Sequence, residues 1–117
     1  MKWIIAAAAV HVVVPTLAQV PSAEEYYQGC AAVSEDKNSS EVQPAHQAAA
    51  LKCLGAVSVV LFYGRKNGIC PPAPVSQPEA AAIVARHLDE NPDDLKEPFR
   101  SVARDALSEE FPCNTKT

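Results

Sequence analysis

Residues 44–63 read PAHQAAALKCLGAVSVVLFY. Proline suits the first position of a helix, none follows through Tyr63, and Gly64 stands where a helix can close. The stretch therefore predicts one α-helix over Ala45–Tyr63, the longest in the chain. Its apolar residues, among them Ala48, Leu51, Leu54, Val57, Val59 and Phe62, fall around most of the circumference, so this is read as a core helix enclosed by the others. The valines near its end also admit a strand, but no turn signal separates them from the preceding alanines.

Working outward, Ser22 precedes Ala23–Val33, which carries two glutamates in its first turn, and stands where an N-cap would. The polar run Ser34–Gln43 is read as a solvated loop. On the other side, Gly64–Pro74 holds three prolines and two glycines, which argues for an ordered connection without regular structure. Ser76 and Glu79 form a capping box, and Ala80, Ile83, Val84, His87 and Leu88 then share one helical face up to Asn91–Pro92. Pro98 opens a last helix in which Phe99, Val102, Ala103, Ala106 and Leu107 repeat the spacing as far as about Glu110. The expected fold is all-α, a small four-helix bundle. Composition agrees: 48% of residues are hydrophobic but only 6% aromatic, with alanine prominent, which suits close-packed helices.

The first eighteen residues have the order of a signal peptide: Met1-Lys2, an apolar run Trp3–Val14, then Pro15–Ala18 with small residues at Thr16 and Ala18. Twelve apolar residues fall short of the ~20 that span a bilayer, and the next apolar stretch, Ala48–Tyr63, is also read as too short and carries Lys52. Residues 1–18 are expected to be removed and 19–117 to form one domain, with no membrane contact after cleavage. Ten basic and fourteen acidic side chains give the full chain a net charge of -4, and loss of Lys2 makes it -5. Such a chain lacks the cationic footprint of a nucleic-acid binder, and Arg65-Lys66 is too small a basic patch to supply one.

Four cysteines, Cys30, Cys53, Cys70 and Cys113, are separated by 22, 16 and 42 residues. An even count in a short exported chain is most simply a disulfide framework, and these gaps lack the paired CxxC spacing of structural zinc. Spacing leaves three connectivities open. An antiparallel hairpin of the first two helices favours Cys30 with Cys53, leaving Cys70 with Cys113.

The residues Cys53-Leu54-Gly55, then Ile69-Cys70-Pro71-Pro72-Ala73-Pro74-Val75-Ser76-Gln77-Pro78, and Phe111-Pro112-Cys113 resemble small exported bacterial immunity proteins of type VI secretion amidase systems, the Rap/Tai type. The likeness continues through His87–Leu95 and Ala103–Phe111, covering about residues 26–113 of a domain whose core is placed at about 24–113. Ser34–Gln43 shows no matching motif. The resemblance implies a helical periplasmic protein that binds a peptidoglycan amidase and blocks its cysteine-histidine active site, doing no chemistry itself. It also implies that a homodimer can form. The matched positions are scaffold, so no inhibitory residue is carried over.

The residues themselves offer little catalytic chemistry. His46 lies upstream of Cys53, but a cysteine in an oxidising compartment is more often bridged than nucleophilic. His87 is read as a core-edge histidine bonded to backbone, and Asp89, Glu90, Asp93 and Asp94 as solvated helix termini, since they lack the ligand alternation and mid-loop glycine of a calcium loop. Asn38-Ser39-Ser40 fits a glycosylation sequon. No catalytic residue, metal site or cofactor is expected. The expectation is that Ser34–Gln43, Gly64–Ile69 or Asp89–Glu97 docks on the partner's cleft, aided by the chain's negative potential. A second reading is a general envelope protein, a stress chaperone or adaptor sharing the fold with no amidase partner. Trp3 is the only tryptophan, so processed protein is expected to begin at Gln19 and to show no tryptophan emission; N-terminal sequencing and fluorescence of exported material check both.

Overall fold

The computed structural model describes residues 20–36 and 44–114, together with Ala9. Four helices carry the fold: α1 (Ala23–Asp36), α2 (Pro44–Phe62), α3 (Gln77–Glu90) and α4 (Phe99–Glu110). Short 3-10 turns at Gly64–Asn67 and Pro92–Lys96 lie between them. Among the described residues there is no strand, only isolated bridges of Ser22 with Pro98 and Ile69 with Pro112. The all-α bundle is the observed architecture.

The sequence signals for α3 and α4 translate directly. The Glu79 backbone N–H donates to Ser76 Oγ at 3.2 Å, so the expected cap holds the start of α3. The apolar faces of both helices are buried, through Ala80, Ile83, Val84 and Leu88 on α3 and Phe99, Val102, Ala103, Ala106 and Leu107 on α4. Fully burying a side chain of the Leu or Val type contributes about 1.5–3 kcal/mol, so these two stripes are a large share of the driving force.

Four expectations need correction. The segment Ser34–Gln43 is not loop throughout, because α1 runs on to Asp36; Ser34 Oγ satisfies itself on the Ala31 carbonyl at 2.9 Å and so does not break the helix. The rest of that segment, with Asn38-Ser39-Ser40, lies outside the described residues. The connection after α2 is not irregular throughout, since Gly64–Asn67 forms a 3-10 turn. There the left-handed residue is Gly68, with φ of 75°, and not Gly64. Third, α2 reaches back to Pro44, and its 19 residues are long and apolar enough to cross a membrane by length and composition, contrary to the sequence estimate. Its middle is nevertheless tied into the bundle by Cys53.

The last correction concerns enclosure. Ala50, Cys53, Leu54, Val57 and Val60 are buried, at i, i+3, i+4, i+7 and i+10, whereas Leu51, Val59 and Phe62 on the other side are exposed. The helix is apolar all round but covered on one face only. The more completely packed helix is α3, where Ala81 and Ala85 are buried as well.

Covalent and close backbone contacts fix α2 in place. Cys30 is bonded to Cys53 and Cys70 to Cys113, with Cα separations of 5.3 and 4.8 Å. This is the pairing the helical hairpin favours, and each bridge stabilises by about 3–4 kcal/mol in the chain-entropy model. Beside the first bridge, a Cβ on Gly29 would lie 2.0 Å from the Ala49 carbonyl oxygen, so α1 and α2 cross with their backbones nearly touching. The lead into α1 is clamped as well: Ala23 N–H donates to the Glu97 carbonyl at 2.8 Å and Phe99 N–H to the Pro21 carbonyl at 3.0 Å.

Gly29→Ala is expected to destabilise by about 3 kcal/mol, because the atoms it meets are backbone. Gly55→Ala, which meets nothing within 4 Å in α2, should stabilise by about 0.5–1 kcal/mol through helix propensity. Urea unfolding midpoints of the two oxidised variants check the contrast.

Candidate functional site

The uncovered side of α2 is the most distinctive surface of the molecule. Ala48, Leu51, Gly55, Val59 and Phe62 recur at i, i+3, i+7, i+11 and i+14 and all are exposed, with Leu51 at 66% and Phe62 at 81%. Tyr63 extends this stripe, its ring meeting Phe62 edge to face at 5.0 Å between centroids. Contiguous apolar surface of this kind on a small domain marks an interaction site, whereas singly exposed apolar residues carry no such meaning.

The stripe runs into a groove between α2, α4 and the residues just ahead of α1. Val20, Tyr26, Ala56, Val59, Phe99 and Arg100 line a hollow of about 680 Å³. Its floor is a stacked pair, Tyr26 on Phe99, with ring centroids 4.3 Å apart and planes inclined by 24°. A second hollow of about 410 Å³ shares Val59, Val60 and Arg100 with the first and adds Tyr63 and Asn67. Lys52 folds its ammonium over the Tyr26 ring at 4.7 Å from the centroid, which places a cation at the groove edge with no carboxylate partner among the described residues.

Charge is segregated around this surface. No Asp or Glu occurs anywhere in residues 44–78, whereas Lys52, Arg65 and Lys66 do. Away from it two cations are paired with acids, Arg86 with Glu110 at 3.0 Å and Arg104 with Asp105 at 3.8 Å. The apolar stripe is thus rimmed by positive charge in a chain whose net charge is negative.

The three segments expected to dock are placed differently from one another. Gly64–Ile69 borders this surface, through Asn67, while Ile69 itself is buried. Ser34–Asp36 is part of α1. Asp89–Glu97 lies at the end of α3 and in the following turn, where Glu90 and Asp93 are exposed as expected but Asp89 and Asp94 make tertiary contacts. Tyr27 OH donates to Asp89 Oδ1, and Asp94 Oδ2 accepts from His87 Nε2 at 2.9 Å.

His87 therefore bonds carboxylates instead of the expected backbone. Its side chain is 11% exposed, and Nδ1 lies 3.7 Å from Glu109 Oε2, so one ring ties α3 to the turn and to α4. That clasp is structural in position, on α3 and away from the groove-lining residues. Cys53 is consumed by its bridge, no described cysteine is free, and His46 sits exposed about two turns upstream on α2. Among the described residues no cluster of three His, Cys, Asp or Glu side chains is grouped as for a metal ion. Sequence reading missed the surface itself. The one available signal was the absence of acids over residues 44–78, which a tally of net charge conceals.

A family model described as Rap1a immunity proteins matches residues 22–113. No curated protein and no solved structure matches the chain.

The uncovered face makes a stability prediction within one helix. Leu54 is 7% exposed and Leu51 is 66% exposed. Leu54→Ala should cost about 2–5 kcal/mol through the cavity it leaves, while Leu51→Ala should stay within about 0.5 kcal/mol of the parent; denaturant titration of both variants reads the difference.

Proposed function

This chain belongs to the Rap1a immunity protein family, and from that premise we propose that it binds and inhibits a peptidoglycan amidase delivered by type VI secretion. Family membership makes it an immunity protein for a secreted effector. The paired cysteines and that membership place it outside the cytoplasm, where disulfides persist. The finer reading is periplasmic action after removal of residues 1–18, and an amidase as target. It is supported by the motif likeness around Cys70–Pro78 and Phe111–Cys113. The observation that carries the proposal is the match over residues 22–113, nearly the whole of the described fold.

Inhibition by this chain is a matter of occlusion. A helical body with its cysteines bridged brings a fixed surface to the partner, so little conformational freedom is lost on docking. To keep about 99% of an effector silent at ~1 μM inhibitor, the dissociation constant must be near 10 nM, about -11 kcal/mol. A central cluster of aromatic and arginine anchors supplies affinity on that scale, and Phe62, Tyr63 and Arg100 are of that type.

The exposed face on α2 also suits the second reading, an envelope chaperone that holds unfolded chains by apolar contact. The two readings separate experimentally. A toxin-type amidase gene is expected beside this chain's own, and its product, mixed with purified oxidised protein, is expected to lose peptidoglycan cleavage at a stoichiometric ratio. Deletion of the gene is expected to sensitise cells to their sisters. Undiminished cleavage, together with suppressed aggregation of a reduced client protein, would favour the chaperone.

A further inference from the structure

We infer that the open face of α2 and its adjoining groove form a docking surface for an apolar protein segment flanked by carboxylates. This rests on the effector-binding reading above and names the chemistry of the partner's contact. Lys52, Arg65, Lys66 and Arg100 stand on or beside the stripe, and among the described residues none of them forms an ion pair. The acids that would neutralise them internally are missing from residues 44–78. Cations left unpaired beside desolvatable apolar surface select a partner of opposite sign and penalise one of the same sign.

The same charges argue against the other occupants. In a two-fold dimer built on this face, each patch meets its own copy, so Lys52, Arg65 and Lys66 would oppose the same cations. A bilayer surface is broad and fluid, whereas the hollow of about 680 Å³ floored by the Tyr26–Phe99 stack is concave. A hollow of that size takes protruding side chains, as in helix-in-groove recognition, where anchors at i, i+3, i+4 and i+7 enter an apolar cleft. Lys52, held over Tyr26, stands where a carboxylate next to such an anchor would arrive.

The test is selection of a random peptide-display library on the oxidised, exported protein, with free peptides then measured by titration. Winning peptides are expected to combine Leu, Phe or Trp with Asp or Glu, and to bind the Leu51→Ser and Phe62→Ser variants at least about tenfold more weakly. The double variant Lys52→Glu with Arg100→Glu is expected to shift selection toward Lys- and Arg-bearing peptides, an inversion that loss of fold does not produce. Selection that is indifferent to charge, favours basic peptides on the parent, or enriches nothing overturns the inference. So does sedimentation of the parent with phosphatidylethanolamine–phosphatidylglycerol vesicles, or a concentration-dependent dimer abolished by Phe62→Ser. Amidase inhibition undiminished by Leu51→Ser with Phe62→Ser removes this surface and leaves the immunity reading standing. Acidic-peptide selection alongside an uninhibited amidase does the reverse.

Discussion

The near-contact of α1 and α2 at Gly29 sets the geometry of everything else. A glycine facing the Ala49 carbonyl lets the two helices cross at backbone distance, and the neighbouring Cys30–Cys53 bond locks that crossing. With the approach so close, one side of α2 is spent on α1, where Ala50, Cys53, Val57 and their neighbours disappear from solvent. Helices α3 and α4 fill the space beneath, α3 against α1 and α2, and α4 against α3. Among the described residues no further helix covers the far side of α2. An apolar surface is left open because the close crossing at Gly29 has already fixed which side is used.

How much of this was legible depends on the kind of pattern. Helices α3 and α4 are amphipathic, so Ser76, Glu79 and the five-residue faces told both where they begin and which side they bury. The two crosslinks followed from assuming a hairpin. Helix α2 defeated the same method, because leucines and valines on every side give no direction, and a helix apolar all round has the same sequence whether it is enclosed or half open. Its burial is decided by Gly29, a residue on another helix. The 3-10 turn at Gly64–Asn67 was hidden for a related reason. The left-handed position needed to close it is Gly68, four residues later than the glycine that looked like the helix end. For His87, spacing placed the ring correctly at the core edge, but its partners, Asp94 and Glu109, come from a turn and a different helix.

Charge tells a similar story about scale. A net value of -4 suggests an acidic surface seeking a basic partner. The acids, however, are concentrated in α1, α3, the α3–α4 connection and α4, where several serve internal contacts. What is left uncommitted around the apolar stripe is positive. Recognition is governed by the field at the contact and only weakly by the total, so the local sign is the informative one.

The order of the two crosslinks along the chain has one more consequence. Cys30 joins the next cysteine, Cys53, and Cys70 joins the last, Cys113, so the covalent loops follow one another without nesting or interlacing. In a polypeptide threaded N-terminus first into an oxidising space, the first pair is complete before the second has emerged. An oxidant acting on cysteines in order of appearance makes both native bonds directly, and the nascent protein has no need of an isomerase to reshuffle them.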